Sequence, residues 1–215
     1  MNPRIVIADD HLIVREGLTM LLERAGYDLV GAASDGMEAL RLCTELRPQI
    51  AVLDLAMPLL SGADCAREIR RASPRTSTIL LTMYDQDRYL ADAIRAGVSG
   101  YVLKSGPAED LLKAIEAVLR GDLYLRSATS HTAVREALET ETPNDALTTR
   151  ERQVLNLVVD GKATKEIAAA LGISVKTAES HRVRIMKKLN THNTAGLVRY
   201  AIREGLVLVE PVSTH

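Results

Sequence analysis

The feature that most restricts this chain is an alternation in its first 120 residues. Short, nearly continuous apolar runs at 4–8, 29–33, 50–54, 78–82 and 99–103 are separated by stretches of helical period. Runs of about five residues with no polar face have the pattern of strands buried on both sides. Between them, Leu12, Leu18, Leu21 and Leu22 mark a first helix, and Met37, Ala39, Leu40 and Leu42 a second. Ala63, Ala66 and Ile69 mark a third, Leu90, Ala93 and Ile94 a fourth, and Leu111, Leu112, Ile115, Val118 and Leu119 a fifth. Gly26, Gly97 and Gly121 stand where a left-handed residue closes a helix. The pattern predicts a (βα)5 α/β domain. Right-handed crossovers make it a doubly wound parallel sheet, order 2-1-3-4-5, with helices on both faces.

The rest of the chain follows another rule. Residues 121–146 are rich in Ser, Thr and Glu and read as a linker, with a short helix at 132–138. From residue 147 the pattern is all-α, with helices near 148–159, 164–171, 174–189 and 194–204. Thr148 and Glu151 form a capping box that sets the first start, and Gly161 and Gly172 punctuate the next joints. The expected organisation is therefore an α/β domain at 1–120, a linker at 121–146 and a four-helix domain at 147–215.

Charge divides the same way. The net charge of −1 hides +5 over residues 148–215, from 11 Lys and Arg against 6 Asp and Glu, and −6 over residues 1–147, from 16 against 22. An acidic front suits metal or phosphate handling, and a basic back suits nucleic acid. The chain has no Trp and no Phe, so its cores must be aliphatic. Cys43 and Cys65 have neither C-x-x-C spacing nor paired histidines, which argues against zinc and a disulfide framework and for an intracellular protein. No signal peptide or membrane-length apolar run is visible. The expectation is a cytoplasmic protein with no membrane partner.

Placed on the (βα)5 frame, five polar residues fall at carboxyl ends of strands: Asp9 and Asp10 after the first, Asp54 ending the third, Thr82 ending the fourth and Lys104 after the fifth. Ligands of open parallel sheets bind at those ends. One Asp after a strand is ordinarily a helix cap, and one Lys there is ordinarily solvated. Five such residues at the ends of four strands are better read together. Three carboxylates in one crevice need a cation, and Mg²⁺ suits an all-oxygen set. A carboxylate can attack phosphorus, and Lys104 and Thr82 can meet the charge on the transferred oxygens.

The segments ADD at 8–10, DLAMP at 54–58, LT at 81–82 and YVLKS at 101–105 resemble the receiver domain of two-component response regulators, over roughly residues 4–120. The resemblance implies that Asp54 accepts a phosphoryl group from a phosphohistidine on a sensor histidine kinase. It implies Mg²⁺ held by Asp9, Asp10, Asp54 and the backbone carbonyl of Ala56. It makes Thr82 and Lys104 partners of the phosphoryl group, and Tyr101 an aromatic switch that turns inward with Thr82. Met83 and Tyr84 depart from the usual pattern, and the position of Tyr84 suggests an effect on phosphoaspartate lifetime.

In the segment 174–189, at about 100° per residue, Ala178, Ile185 and Leu189 form one stripe while Lys176, Ser180, Val183 and Lys187 lie opposite, flanked by Glu179 and Arg184. A basic face with a small hydroxyl and a branched apolar residue suits the major groove better than plain solvation. The turn at Gly172–Ile173 joins it to the preceding helix as in a helix-turn-helix.

The run from Leu147 to about Leu206 resembles the LuxR-type helix-turn-helix, and the domain order is that of the NarL/FixJ subfamily. That resemblance places Glu179, Ser180 and Val183 at base edges of double-stranded promoter DNA. It offers Lys176, Thr177, His181, Arg182, Arg184 and Lys187 for phosphates, and makes the last helix a dimerisation helix for a homodimer formed on phosphorylation. Two departures stand out. Ala163 replaces a capping Ser paired with Glu166, so that box is expected to be lost and Thr164 to cap instead. Gly196 within the last helix is expected to weaken it by up to about 1 kcal/mol.

The resulting expectation is a phosphorylation-controlled DNA-binding regulator and not an enzyme. A Mg²⁺-dependent aspartyl phosphatase would need a general acid two residues after Asp54, where Ala56 stands. No nucleotide-binding loop is present. The alternative within the DNA-binding class is a regulator switched by a ligand or a protein partner independently of phosphorylation.

Overall fold

The computed structural model describes residues 2–125 and 147–203. The chain divides into two compact units, 1–140 and 141–215. The helix expected at 132–138, and residues 126–146 of the expected linker, lie outside the described residues.

The first unit alternates as the apolar runs require: β1 (Arg4–Ala8), α1 (Leu12–Arg24), β2 (Asp28–Ala33), α2 (Gly36–Leu46), β3 (Ile50–Asp54), α3 (Gly62–Ala72), β4 (Ser77–Thr82), α4 (Asp87–Ala96), β5 (Gly100–Leu103) and α5 (Ala108–Leu119). All neighbouring strands are parallel, in the order β2-β1-β3-β4-β5, and a two-residue strand β6 (Tyr124–Leu125) pairs with Gly100 and Tyr101. The sheet therefore runs on into the segment read as linker. Two residues are too few to show a period, so β6 has no sequence signature.

Both faces of the sheet are buried. Ile5, Ile7, Ile50, Val52, Ile79, Leu81 and Val102 pack with Leu18 and Leu22 of α1 and Leu111, Ala114, Ile115 and Val118 of α5. The alternate residues Val6, Ala51, Leu53, Leu80 and Tyr101 are just as inaccessible. Three helical residues face differently from expectation: Leu12, Met37 and Leu119 are 60%, 42% and 38% exposed. Leu12 begins α1 and lies about 120° around the helix from Leu18, off the buried stripe.

The second unit holds α6 (Thr149–Val159), α7 (Thr164–Ala170), α8 (Val175–Lys188) and α9 (Thr194–Arg203). Its core gathers Val154, Leu155, Ile167, Ala178, Ile185, Leu189, Leu197 and Ala201. The expected box at the start of α6 is present: the Thr148 hydroxyl accepts from the Glu151 amide at 3.3 Å, and Glu151 accepts from the Thr148 amide at 2.8 Å. At α7 the expectation needs correction. Half of the box survives, because Glu166 Oε2 accepts from the Ala163 amide at 2.7 Å and needs no side chain there. Thr164 does not cap; its hydroxyl accepts from Arg182 at 2.6 Å. Gly196 lies in the first turn of α9, where its amide donates to the Asn193 side chain at 2.7 Å. The penalty for a glycine in a helix interior is reduced there.

Candidate functional site

The strand ends of the first unit bring the expected residues together. Asp9 follows β1 and is fully buried, Asp54 ends β3 and is 4% exposed, and Asp10 is half-buried beside them. Carboxylate oxygens of Asp9, Asp10 and Asp54 and an imidazole nitrogen of His11 lie within 4.8 Å of one another. Lys104, entering from the end of β5, places Nζ 2.6 Å from Asp9 Oδ2 and 3.0 Å from Asp54 Oδ2. Its backbone is fixed by donation from its amide to the Thr82 carbonyl at 2.7 Å. Arg15 of α1 donates to the Asp9 carbonyl at 2.7 Å and anchors the acidic loop.

The electrostatics follow from burial. Desolvation raises the Asp54 carboxyl to about 6; Lys104 pulls it down, and the Asp9 and Asp10 charges push it up. Burial alone would lower Lys104, but its contacts with Asp9 and Asp54 outweigh that and hold it above its ordinary value. One cation thus serves two buried anions, with Asp10 and its neighbour His11 beside them. A set of three carboxylates with a single lysine carries surplus negative charge in a poorly hydrated crevice. The three carboxylates offer oxygen donors, which fit a hard divalent cation, with the His11 nitrogen at their side. Ala56 lies two residues past Asp54 in the β3–α3 loop and is half-buried.

Thr82 is fully buried at the end of β4, and its hydroxyl accepts from the Tyr84 amide at 3.1 Å. Tyr101 is 1% exposed. It is turned inward beside Thr82, and its hydroxyl donates to the Tyr84 carbonyl at 2.7 Å. Burial pushes its phenol up. Tyr84, expected to act at the approach to Asp54, packs its ring 5.0 Å from that of Tyr89 in α4, and Arg88 lies 4.7 Å above the Tyr89 ring. The aromatic residues therefore join the β4–α4 loop to α4.

In the second unit, α8 begins at Ser174, whose hydroxyl accepts from the Thr177 amide at 3.0 Å. Ala178, Ile185 and Leu189 are buried, while Lys176, Thr177, Glu179, Ser180, Val183, Arg184 and Lys187 are exposed. Val183 is 61% exposed, an isolated branched apolar side chain on a basic face. Two expected contacts are drawn inward. Arg182 is half-buried and donates to the hydroxyls of Thr164 and Thr194 at 2.6 and 2.7 Å, bridging the starts of α7 and α9. His181 is half-buried with Nδ1 enclosed, and burial together with Arg184 and Arg150 lowers its basicity.

Other residues were not singled out by sequence. His11 sits 2.9 Å from Asp10 Oδ1, and Arg67 of α3 pairs with Asp64 at 2.7 Å and with Asp92 of α4. The three-residue spacing of Asp64 and Arg67 signals a helical pair, but nothing in the sequence points to Asp92.

Residues 5–116 match the response regulator receiver domain, and residues 145–201 match the bacterial regulatory proteins of the luxR family. The chain is 38% identical to the oxygen regulatory protein NreC of Staphylococcus carnosus, over 95% of this chain and 99% of that one. It is 36% identical to the transcriptional regulatory protein MctR of Rhizobium johnstonii, with 95% of each chain covered. Among solved structures it resembles RcsB from Salmonella enterica serovar Typhimurium bound to promoter DNA with the phosphomimetic BeF3−. That likeness has a TM-score of 0.59 at 29% identity, and covers 93% of this chain and 98% of RcsB. A buried acidic crevice on a 2-1-3-4-5 sheet, a helix-turn-helix with a basic outer face, and relatives matched over nearly their full length place the chain in one family: it is a DNA-binding response regulator of the NarL/FixJ type.

Proposed function

We propose that Asp54 accepts a phosphoryl group from a phosphohistidine of a sensor histidine kinase, and that this controls binding of α8 to promoter DNA. The observation that carries the reading is the geometry of Asp54: a buried carboxylate at a strand end, beside Asp9 and Asp10, with Lys104 Nζ on Oδ2 at 3.0 Å. Asp9, Asp10, Asp54 and the backbone carbonyl of Ala56 are the candidate holders of Mg²⁺, which when bound supplies charge neutralisation to the phosphoryl oxygens. An Asp54 oxygen attacks phosphorus; the phosphorus–nitrogen bond to the imidazole breaks, and the imidazole leaves with the electron pair. Lys104 exchanges its hold on the Asp54 carboxylate for a phosphoryl oxygen. Thr82 gives its hydroxyl to another oxygen, which takes that hydroxyl from the Tyr84 amide. Tyr101, bound to the Tyr84 carbonyl, carries that change to the β4–α4 loop.

On the DNA side, Glu179, Ser180 and Val183 are assigned to base edges and Lys176, Thr177, Arg184 and Lys187 to phosphates. His181 and Arg182 contribute from beneath. Arg182 reaches a phosphate only alongside or in place of its threonine partners. The RcsB likeness to a promoter-bound structure supports this role for α8, and another RcsB structure, of two dimers on two parallel DNAs, supports a homodimer. No helix among the described residues is long and apolar enough to cross a membrane; the proposed location is the cytoplasm. The protein acts as a regulator and not as an enzyme with turnover on a separate substrate.

The test is intact mass after incubation with Mg²⁺ and a small acyl phosphate, on the wild type and on Asp54→Asn. A gain of one phosphoryl group by the wild type alone is expected. No gain from that donor or a cognate kinase overturns the reading and turns attention to a ligand or partner protein as the switch.

A further inference from the structure

Helix α3 carries a line of polar residues at three-residue steps: Ser61, Asp64, Arg67 and Arg70. At its start the line meets the phosphoacceptor strand. Ser61 caps α3 and hydrogen-bonds Asp64 through both its hydroxyl and the Asp64 amide, at 3.1 and 3.2 Å. The next residue, Gly62, donates to the Leu55 carbonyl at 3.0 Å. Gly62 also lies so close that an added Cβ would fall 2.2 Å from the Asp54 carbonyl oxygen. The first turn of α3 is thus in backbone contact with Asp54 itself.

The far end of the line meets α4. Arg67 bridges Asp64 in its own helix, at 2.7 Å, and Asp92 in the middle of α4. The side chains are 15%, 5% and 22% exposed for Arg67, Asp64 and Asp92, so solvent screens the triad little. One turn on, Arg70 lies against the end of α4: an added Cβ on Gly97, the left-handed residue closing that helix, would sit 2.7 Å from Arg70 Nη1. A cation is favourable at a helix C-terminus.

Helix α4 is therefore held from two sides. From the end of β4, Thr82 holds the Tyr84 amide, and the Tyr84 ring packs against Tyr89 in the first turn of α4. From α3, Arg67 and Arg70 grip its middle and its end. We propose that α3 is a second transmission arm. In it, Arg67 is a positioning residue that ties α4 to the phosphoacceptor loop, so that the position of α4 is set by the Arg67–Asp92 pair as well as by Thr82 and Tyr101. This rests on the reading of Asp54 as phosphoacceptor. A buried ion pair suits such a role, because its geometry is specific and its loss leaves charges unpaired in a dry place.

The experiment uses the full chain as wild type, Asp92→Asn, Arg67→Lys and Arg67→Met. Phosphorylation by an acyl phosphate with Mg²⁺ is followed by intact mass, and amide exchange by peptide mass, with and without the donor. Asp92→Asn keeps the Arg67–Asp64 pair and guards against a variant that fails to fold. Expected is phosphorylation within twofold of wild type in every variant. Exchange in the α4 peptides should rise at least threefold in unphosphorylated Asp92→Asn and Arg67→Met, with β3 and β4 unchanged. The change that phosphorylation causes in α4 of wild type should shrink correspondingly, and Arg67→Lys should restore part of it. If α4 exchanges as in wild type, or if exchange rises equally in the sheet, the proposal is overturned. Should the wild type itself take no phosphoryl group, it is the assignment of Asp54 that fails, and the transmission proposal falls with it.

Discussion

The two units handle charge in opposite ways. In the receiver, charge is buried and mutual: Lys104 between Asp9 and Asp54, Arg67 between Asp64 and Asp92. In the helix-turn-helix unit, Lys176, Arg184 and Lys187 stand in solvent while Arg182 and Lys188 brace the fold. The difference follows from the task. A reaction at phosphorus needs charges that cannot be screened and need not reorganise. A polyanion is met by charges that release counterions when they dock. In the receiver each ion is thus a structural element, and Lys104, which touches Asp54, is a chemical one as well, so its removal should cost both rate and stability. An exposed lysine of α8 should cost affinity alone.

The largest effect is expected from Lys104→Met. The variant leaves the buried Asp9 and Asp54 facing each other without a cation and removes a donor to the developing phosphoryl charge. Its initial rate of phosphorylation from an acyl phosphate, read by intact mass, should fall at least about 100-fold, as for loss of one preorganised transition-state donor. A rate within threefold of wild type would mean that the buried lysine serves the fold only.

A smaller effect is expected on the open side. Lys176→Ala with Lys187→Ala removes two exposed charges and no packing. The slope of log affinity against log salt should become shallower by about 2, equally on cognate and unrelated duplexes. The melting temperature should hold. An unchanged slope would remove both lysines from the phosphate contacts, and a loss confined to one sequence would move them to base edges.

How far the sequence revealed this arrangement depended on how local each cause was. Strands appeared because a run such as 50–54 has no polar face, and the crevice because Asp9, Asp54, Thr82 and Lys104 end such runs. The Thr148–Glu151 box was visible because both partners lie within one turn. Contacts between elements were not visible. Asp92 is an ordinary charged residue of α4 until α3 packs beside it, and the contacts of Arg182 with Thr164 and Thr194 join helices that are separate in the sequence. Glu166 kept its half of a cap because that half is a backbone amide, which any residue but proline supplies at position 163. Leu12 shows the converse: apolar character marks a helix without deciding which of its residues face the core.

The finest distinction lies in an ion pair of the second unit in which the carboxylate is buried and the lysine is exposed. Glu151 is 3% exposed, accepts from Thr148 and receives Lys188 Nζ at 2.7 Å, which ties the start of α6 to the end of α8. Burial alone would raise its carboxyl; Lys188 and the Thr148 donors outweigh it and hold it below its ordinary value. A carboxyl depressed on folding stabilises above its unfolded value, near 4.5, and that contribution is lost as pH falls through the folded value. Glu151→Gln keeps the cap, because an amide oxygen also accepts from the Thr148 N–H, and should destabilise the second unit at pH 7 only by the charge of the Lys188 pair, about 0.5 kcal/mol. The gap from wild type should begin to shrink as pH falls below 4.5 and vanish below the lower folded value, where the wild-type carboxyl is neutral in both states. Urea unfolding of both proteins at pH 7 and pH 3.5 measures it. A gap of equal size at both values would show that Glu151 acts through shape and hydrogen bonding and not through charge.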